Sequence, residues 1–226
     1  ITTGWEQGGA IVVYQNPGPA KAKLAWPSVT VGIVRSPEDA VFADLDGDGN
    51  LDVVSSCEGR EQSMYVHWAP AKQADYLKSS AWATEVIAAT KQKQSWMFAE
   101  PAQIDGRTGI ELFVSSKGTN GSIGWLKLPT DRQQARKVSQ WQFIKLRDAG
   151  WVMTLKALDM DGDGDSDLLF SDRKGTKRGV SWLENPGGEE VSSRGEWKEH
   201  ALGGREHEVM FLSVGDLNHD GVWDIV

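Results

Sequence analysis

One string limits what this chain can fold into. "DLDGDGNLDVV" begins at Asp44, returns as "DMDGDGDSDLLF" from Asp159 and "DLNHDGVWDIV" from Asp216, and survives in worn form as "QIDGRTGIELFV" from Gln103. The first positions of these strings are 59, 56 and 57 residues apart, so the chain repeats one unit. Other features keep the same frame. Tyr14, Trp68, Trp125 and Trp182 each close an apolar run just before a proline, and Trp26, Trp82, Trp141 and Trp197 each open another short run.

One unit therefore reads as four short strands in about 57 residues, separated by Gly, Pro, Asn and Asp. No 3.6-residue pattern persists beyond a turn or two, which predicts an all-β chain. Four-stranded antiparallel units repeated around a centre predict a four-bladed β-propeller. The expected blades are 34–89, 90–148 and 149–206, plus one shared by both termini. In that last blade, 207–226 supplies two inner strands and 1–33 two outer ones, so the whole of 1–226 is one ring. Pairing the termini would remove the edge strands that an open array leaves exposed.

The acidic loop runs D-x-D-x-D-G-x-x-D. Carboxylates at its first, third and fifth positions converge when the chain wraps around a point, and glycine permits the sharp turn. A carbonyl at the seventh position and a carboxylate at the ninth complete six or seven hard oxygen ligands, a set that suits Ca²⁺. Without a cation these acids repel one another. An EF-hand is excluded, because it requires Glu at the twelfth position and helices on both sides. Here Ser55 and Phe170 stand at the twelfth position, and the flanks are β-like.

A strand, an acidic loop and a second strand in this order resemble the FG-GAP (or VCBS) repeat of β-propellers. The resemblance implies three calcium sites. The first has ligands Asp44, Asp46, Asp48 and Asp52 with the Asn50 carbonyl, and the second has Asp159, Asp161, Asp163 and Asp167 with the Asp165 carbonyl. The third has Asp216, Asn218, Asp220 and Asp224 with the Val222 carbonyl. The Gln103–Glu111 loop departs from the pattern. Arg107 replaces its fifth-position acid and is expected to pair with Asp105 and Glu111, so no calcium is expected there. Three ions would offset most of a net charge of −8.

Residues that break the repeat are the candidates for a ligand site. The stretches "VRSPED", "KQSWMF", "DAGWVMT" and "GREHEVMF" precede the first strand of each unit, at one mouth of the expected channel. Trp96, Trp151, Arg35, Arg205, His207 and Glu208 there combine aromatic faces with polar groups, as a saccharide site requires. The expected function is a calcium-stabilised module that binds carbohydrate or another extracellular ligand. One alternative is a lyase-like, polysaccharide-degrading enzyme with His207 at the mouth. Another is a structural or protein-binding ring of a larger surface protein. No Ser/His/Asp or phosphate-loop signal appears, so binding is favoured over catalysis. The net acidity argues against nucleic acid, and no apolar stretch is long enough for a transmembrane helix. Calcium loops of this kind fit an extracellular, periplasmic or cell-surface location. Cys57 is the sole cysteine and is expected to be buried and inert.

Overall fold

The computed structural model describes residues 9–107, 109–131, 134–188, 191 and 196–226. Strands β1 (Gly9–Tyr14) and β2 (Ser28–Val34) form a two-stranded sheet. The next sheet comprises β3 (Pro37–Ala43), β4 (Asp52–Cys57), β5 (Met64–Trp68) and β6 (Ala83–Val86), in that spatial order. β7 (Ser95–Ala102), β8 (Glu111–Lys117), β9 (Ser122–Lys127) and β10 (Gln142–Asp148) form another sheet. So do β11 (Val152–Leu158), β12 (Asp167–Asp172), β13 (Gly179–Glu184) and β14 (Lys198–Gly203). β15 (Val214–Gly215) and β16 (Asp224–Ile225) pair as a short antiparallel ribbon.

The three four-stranded sheets are meanders in which each strand pairs antiparallel with the next. Each acidic loop joins the edge strand of its sheet to the second strand, the position that the sequence assigns to it. No α-helix occurs among the described residues; short 3-10 turns such as Gln73–Asp75 and Val138–Gln140 precede the last strands. The residues expected to complete the terminal blade from the N-terminal side include Ile1–Trp5, which lie outside the described residues.

The chain divides into two compact units, 1–99 with 127–143, and 100–126 with 144–226. In both, the second strands carry the core. β4 and β12 are buried at every position, and β8 at all but its last. Their sequences "DVVSSC", "ELFVSSK" and "DLLFSD" lack the alternation of a half-wetted strand, because both of their faces are covered. Serines are tolerated there because their hydroxyls find carbonyls. Ser56 Oγ donates to the Met97 carbonyl at 2.5 Å in the first unit, and Ser171 Oγ donates to the Met210 carbonyl at 2.6 Å in the second. These serines stand at the same place in the repeat.

Most of the recurrent tryptophans are framework, whereas Trp26 stays exposed at 37%. Trp68, Trp125 and Trp141 are buried. The Nε1 groups of Trp82 and Trp141 donate to the carbonyls of Tyr76 and Ala135, each six residues earlier, at 2.9 and 2.8 Å. Each indole thereby fastens the connection that leads into its last strand. Trp141 meets Trp68 edge-on with centroids 6.4 Å apart, and Trp197 meets Phe113 at 5.5 Å in the other unit. Cys57 is fully buried, and burial pushes its thiol up to about 12, so it stays protonated.

His67 joins three strands of its sheet to β2. Thr84 Oγ1 donates to the Val31 carbonyl at 3.2 Å, so it can only accept from His67 Nδ1–H at 2.9 Å. His67 Nε2 then accepts from the Ser55 hydroxyl, also at 2.9 Å. The ring is neutral in this arrangement, and burial lowers its pKa to about 4. The folded value lies below the unfolded one of about 6.5, so this contribution is intact above pH 6.5 and is lost as pH falls toward 4. At and below pH 4 the loss amounts to about 3 kcal/mol. In an NMR titration the His67 ring protons should therefore shift near pH 4.

Candidate functional site

The acidic loops fold into one hydrogen-bonded scheme. In the first, Asp44 Oδ1 accepts from Gly47 N at 2.8 Å and its Oδ2 from Gly49 N at 3.1 Å. Asp46 accepts from Asp48 N at 3.1 Å, and Asp48 from Asn50 N at 2.8 Å. The Asp159 loop repeats each bond: Gly162 and Gly164 donate to Asp159, Asp163 to Asp161, and Asp165 to Asp163, at 2.7 to 3.2 Å. In the last loop Asp220 and Gly221 donate to Asp216, Asp220 also to Asn218, and Val222 to Asp220. The turn needs a left-handed residue at its fourth position. Gly47 (φ 74°) and Gly162 (φ 83°) supply it freely, and His219 adopts it at φ 61°.

The ninth-position acid has a different task. Asp52 is 1% exposed and accepts from Leu45 N at 3.3 Å and from Ala69 N, just beyond β5, at 2.8 Å. Asp167 is equally buried and accepts from Met160 N and Asn185 N, both at 2.8 Å. Asp224 accepts from Leu217 N at 2.7 Å. This carboxylate closes the loop, and in the first two cases also ties it to the end of the third strand. Asn185 extends the tie, since its Nδ2 donates to the carbonyls of Ile104 and Ser166.

The donor set fits a hard divalent cation. Asp44, Asp46 and Asp48 bring carboxylate oxygens within 4.8 Å of one another, as do Asp159, Asp161 and Asp167. Charge is crowded here. Burial and then the neighbouring Asp163 raise Asp165 to about 6, and its Oδ1 is buried without a hydrogen-bond partner. Burial, with Asp46 adding to it, raises Asp52 to about 7. The Asp216–Asp224 loop, where Asn218 replaces an acid, keeps the turn but does not gather three carboxylates within that distance. In the Gln103–Glu111 loop, Arg107 lies 3.5 Å from Asp105, as its sequence implies, and the Gln103 side chain donates to the Arg107 carbonyl.

Arg136 was not legible as part of this site. It enters from the connection before β10, with Nε 2.5 Å from Asp46 Oδ2 and a terminal nitrogen 3.8 Å from Asp48 Oδ2. Its guanidinium lies 5.0 Å from the centre of the Trp68 ring. Tyr76 adds a hydroxyl that donates to Asn50 Oδ1. Both residues sit in loops that carry no repeat signal.

The candidate ligand residues separate. Trp96 is fully buried, its Nε1 donates to the Thr90 carbonyl at 3.0 Å, and its ring meets Phe143 edge-on at 5.3 Å. It belongs to the core and presents no face to solvent, because the repeat's apolar packing takes up the whole indole. Arg35 is exposed in the same unit. In the other unit Arg205, His207 and Glu208 are exposed after β14, and Trp151 is half-buried. Arg173 brings two of these together. Its guanidinium is 4.9 Å from the Trp151 ring centre and its Nε is 2.7 Å from Glu208 Oε2. That pairing holds the Glu208 carboxyl below its usual range.

Residues 159–226 match the family model of the FG-GAP-like repeat. No curated protein matches the chain by sequence.

Three substitutions separate framework from ligand. Asp52→Asn removes an acceptor from a buried backbone N–H and should cost about 1–3 kcal/mol in urea unfolding with chelator present, whereas Asp48→Asn at the exposed rim costs far less. Arg136→Gln should cost about 1 kcal/mol in chelator and less in millimolar calcium, where the ion supplies the missing positive charge.

Proposed function

We propose that the chain is a calcium-stabilised, four-bladed β-propeller that serves as a binding module at the cell surface, in the periplasm or outside the cell. The observation that carries this reading is the shared hydrogen-bond scheme of the Asp44 and Asp159 loops, each of which gathers carboxylates within 4.8 Å; the Asp216 loop follows it except that Asp220 N replaces the fourth-position donor. The FG-GAP-like repeat at 159–226 supports it. In this reading the blades are 34–89, 90–148, 149–206 and a composite of 207–226 with 1–33.

The Asp44 and Asp159 loops would each hold one Ca²⁺ through the carboxylates that converge there, and the Asp216 loop a third through Asp216, Asn218, Asp220, Asp224 and the Val222 carbonyl. The ion supplies the positive charge that lets several acids share a tight turn. The chain's own residues do the rest. Backbone N–H groups orient the carboxylates, and Asp52 and Asp167 carry that order into the strands. Ligand binding is assigned to the surface around Trp151, Arg205, His207 and Glu208, with a saccharide as the ligand.

Calorimetric titration with calcium should resolve three sites. Each site occupied at 100-fold above its Kd stabilises the fold by about 2.7 kcal/mol. A chelator should accordingly lower the melting temperature by several degrees or more. An unchanged melting curve in chelator would overturn the reading.

A further inference from the structure

The hairpin between β12 and β13 reads Arg173-Lys174-Gly175-Thr176-Lys177-Arg178, four cations in six residues of a chain whose net charge is −8. The corresponding turns of the other two four-stranded sheets, 58–63 and 118–121, carry no such excess. The hairpin overhangs a cleft of about 330 Å³ lined by Arg147, Lys174, Lys177, Asp172 and the hydroxyl residues Thr119 and Thr176. We propose that this cleft binds an acidic saccharide, one whose carboxylate or sulfate pairs with Lys174 and Lys177. The proposal rests on the binding-module reading above and names its ligand class.

The internal acids and the buried arginine are already committed. Arg147, with its side chain 4% exposed, bonds Asp172 at 3.4 Å, Glu199 at 3.1 Å and the carbonyls of Asp148 and Lys177. Asp172 also accepts from Gly150 N and Trp151 N at 3.1 and 2.8 Å. These groups build the floor of the cleft. Its shape is fixed by close approach, since a Cβ on Gly150 would lie 2.2 Å from the Lys174 carbonyl. Above the floor cations gather, of which Arg173 is already paired with Glu208 at 2.7 Å. Lys117, Arg173 and Lys174 stand 4.7, 4.9 and 5.1 Å from the Trp151 ring centre, so the indole at the heart of the proposed ligand surface scaffolds its cations. Among the described residues no carboxylate lies within ion-pair distance of Lys174, and Lys177 reaches Glu199 only at 3.8 Å with its side chain 65% exposed. An incoming anion relieves this crowding with charge-assisted hydrogen bonds.

Size and field favour a saccharide over nucleic acid. The cleft accommodates one or two sugar residues, and the threonines offer hydroxyl partners to a sugar ring. Beyond a Debye length of roughly 10 Å the attraction of the hairpin is screened, and a long polyanion would lie along a surface that is acidic overall.

The test uses the full chain with calcium present, a hyaluronan hexasaccharide, its carboxyl-reduced form, and a single-stranded oligothymidylate of matched charge. The hexasaccharide should bind at least about tenfold more tightly than the reduced form, and several-fold less tightly at 300 mM than at 50 mM salt. Lys174→Gln with Lys177→Gln should weaken it about tenfold, and Lys174→Glu further, whereas Lys72→Gln with Lys91→Gln leaves it unchanged. All variants should melt as the parent does. Equal affinity for the reduced form overturns the anionic assignment and leaves the binding module standing. Binding of neither saccharide overturns the assignment of this cleft, whereas the module reading falls only if chelator leaves the melting curve unchanged. Tighter binding of the oligothymidylate overturns the saccharide class.

Discussion

A buried carboxylate that accepts two backbone N–H groups holds each well-formed unit together. Asp52 joins the loop residue Leu45 to Ala69 at the end of β5, and Asp167 joins Met160 to Asn185 at the end of β13. Each carboxylate is therefore a hub among edge strand, loop and third strand. Burial raises the pKa of both groups, which measures what it costs to keep an acid there. The backbone bonds offset part of that cost, and a cation on the neighbouring acids offsets more. The rest of each sheet depends on this arrangement, because the second strand starts at that carboxylate.

Charge is managed locally in this protein. Net charge describes none of the places where it matters: three loops concentrate acid, one hairpin concentrates base, and two arginines sit against loop acids. Arg136 lies against Asp46 and Asp48, and Arg107 against Asp105. In the degenerate loop the cation is built into the turn. In the first loop it comes from a distant connection and shares the site with the carboxylates that fit calcium. Screening over short distances lets acidic and basic surfaces coexist on one chain.

Trp96 and Trp151 show why position in a repeat does not fix a side chain's role. Both depart from the shared aromatic columns, and both stand at the start of a sheet's edge strand, Trp96 within β7 and Trp151 just before β11. Trp96 found room between the Thr90 carbonyl and Phe143 and joined the core. Trp151 is ringed by Lys117, Arg173 and Lys174 and remained near the surface. The difference comes from the hairpins around them, which the local sequence of either tryptophan does not encode.

The sequence by itself determined the unit: an all-β chain, four strands per repeat, acidic loops between the first two strands, and framework tryptophans. These follow from periodicity and from short-range chemistry, since a nine-residue loop contains all its own turn donors and acceptors. The acids of the Asp44 and Asp159 loops were legible for the same reason. Tertiary structure alone decided what distant segments bring to those loops. Arg136 lies 90 residues from Asp46 in the chain, and Asn185 lies 81 from Ile104. It also decided that Arg173 would serve both Trp151 and Glu208. Contacts of that span are set by how sheets and hairpins pack, and no local pattern of residues records them.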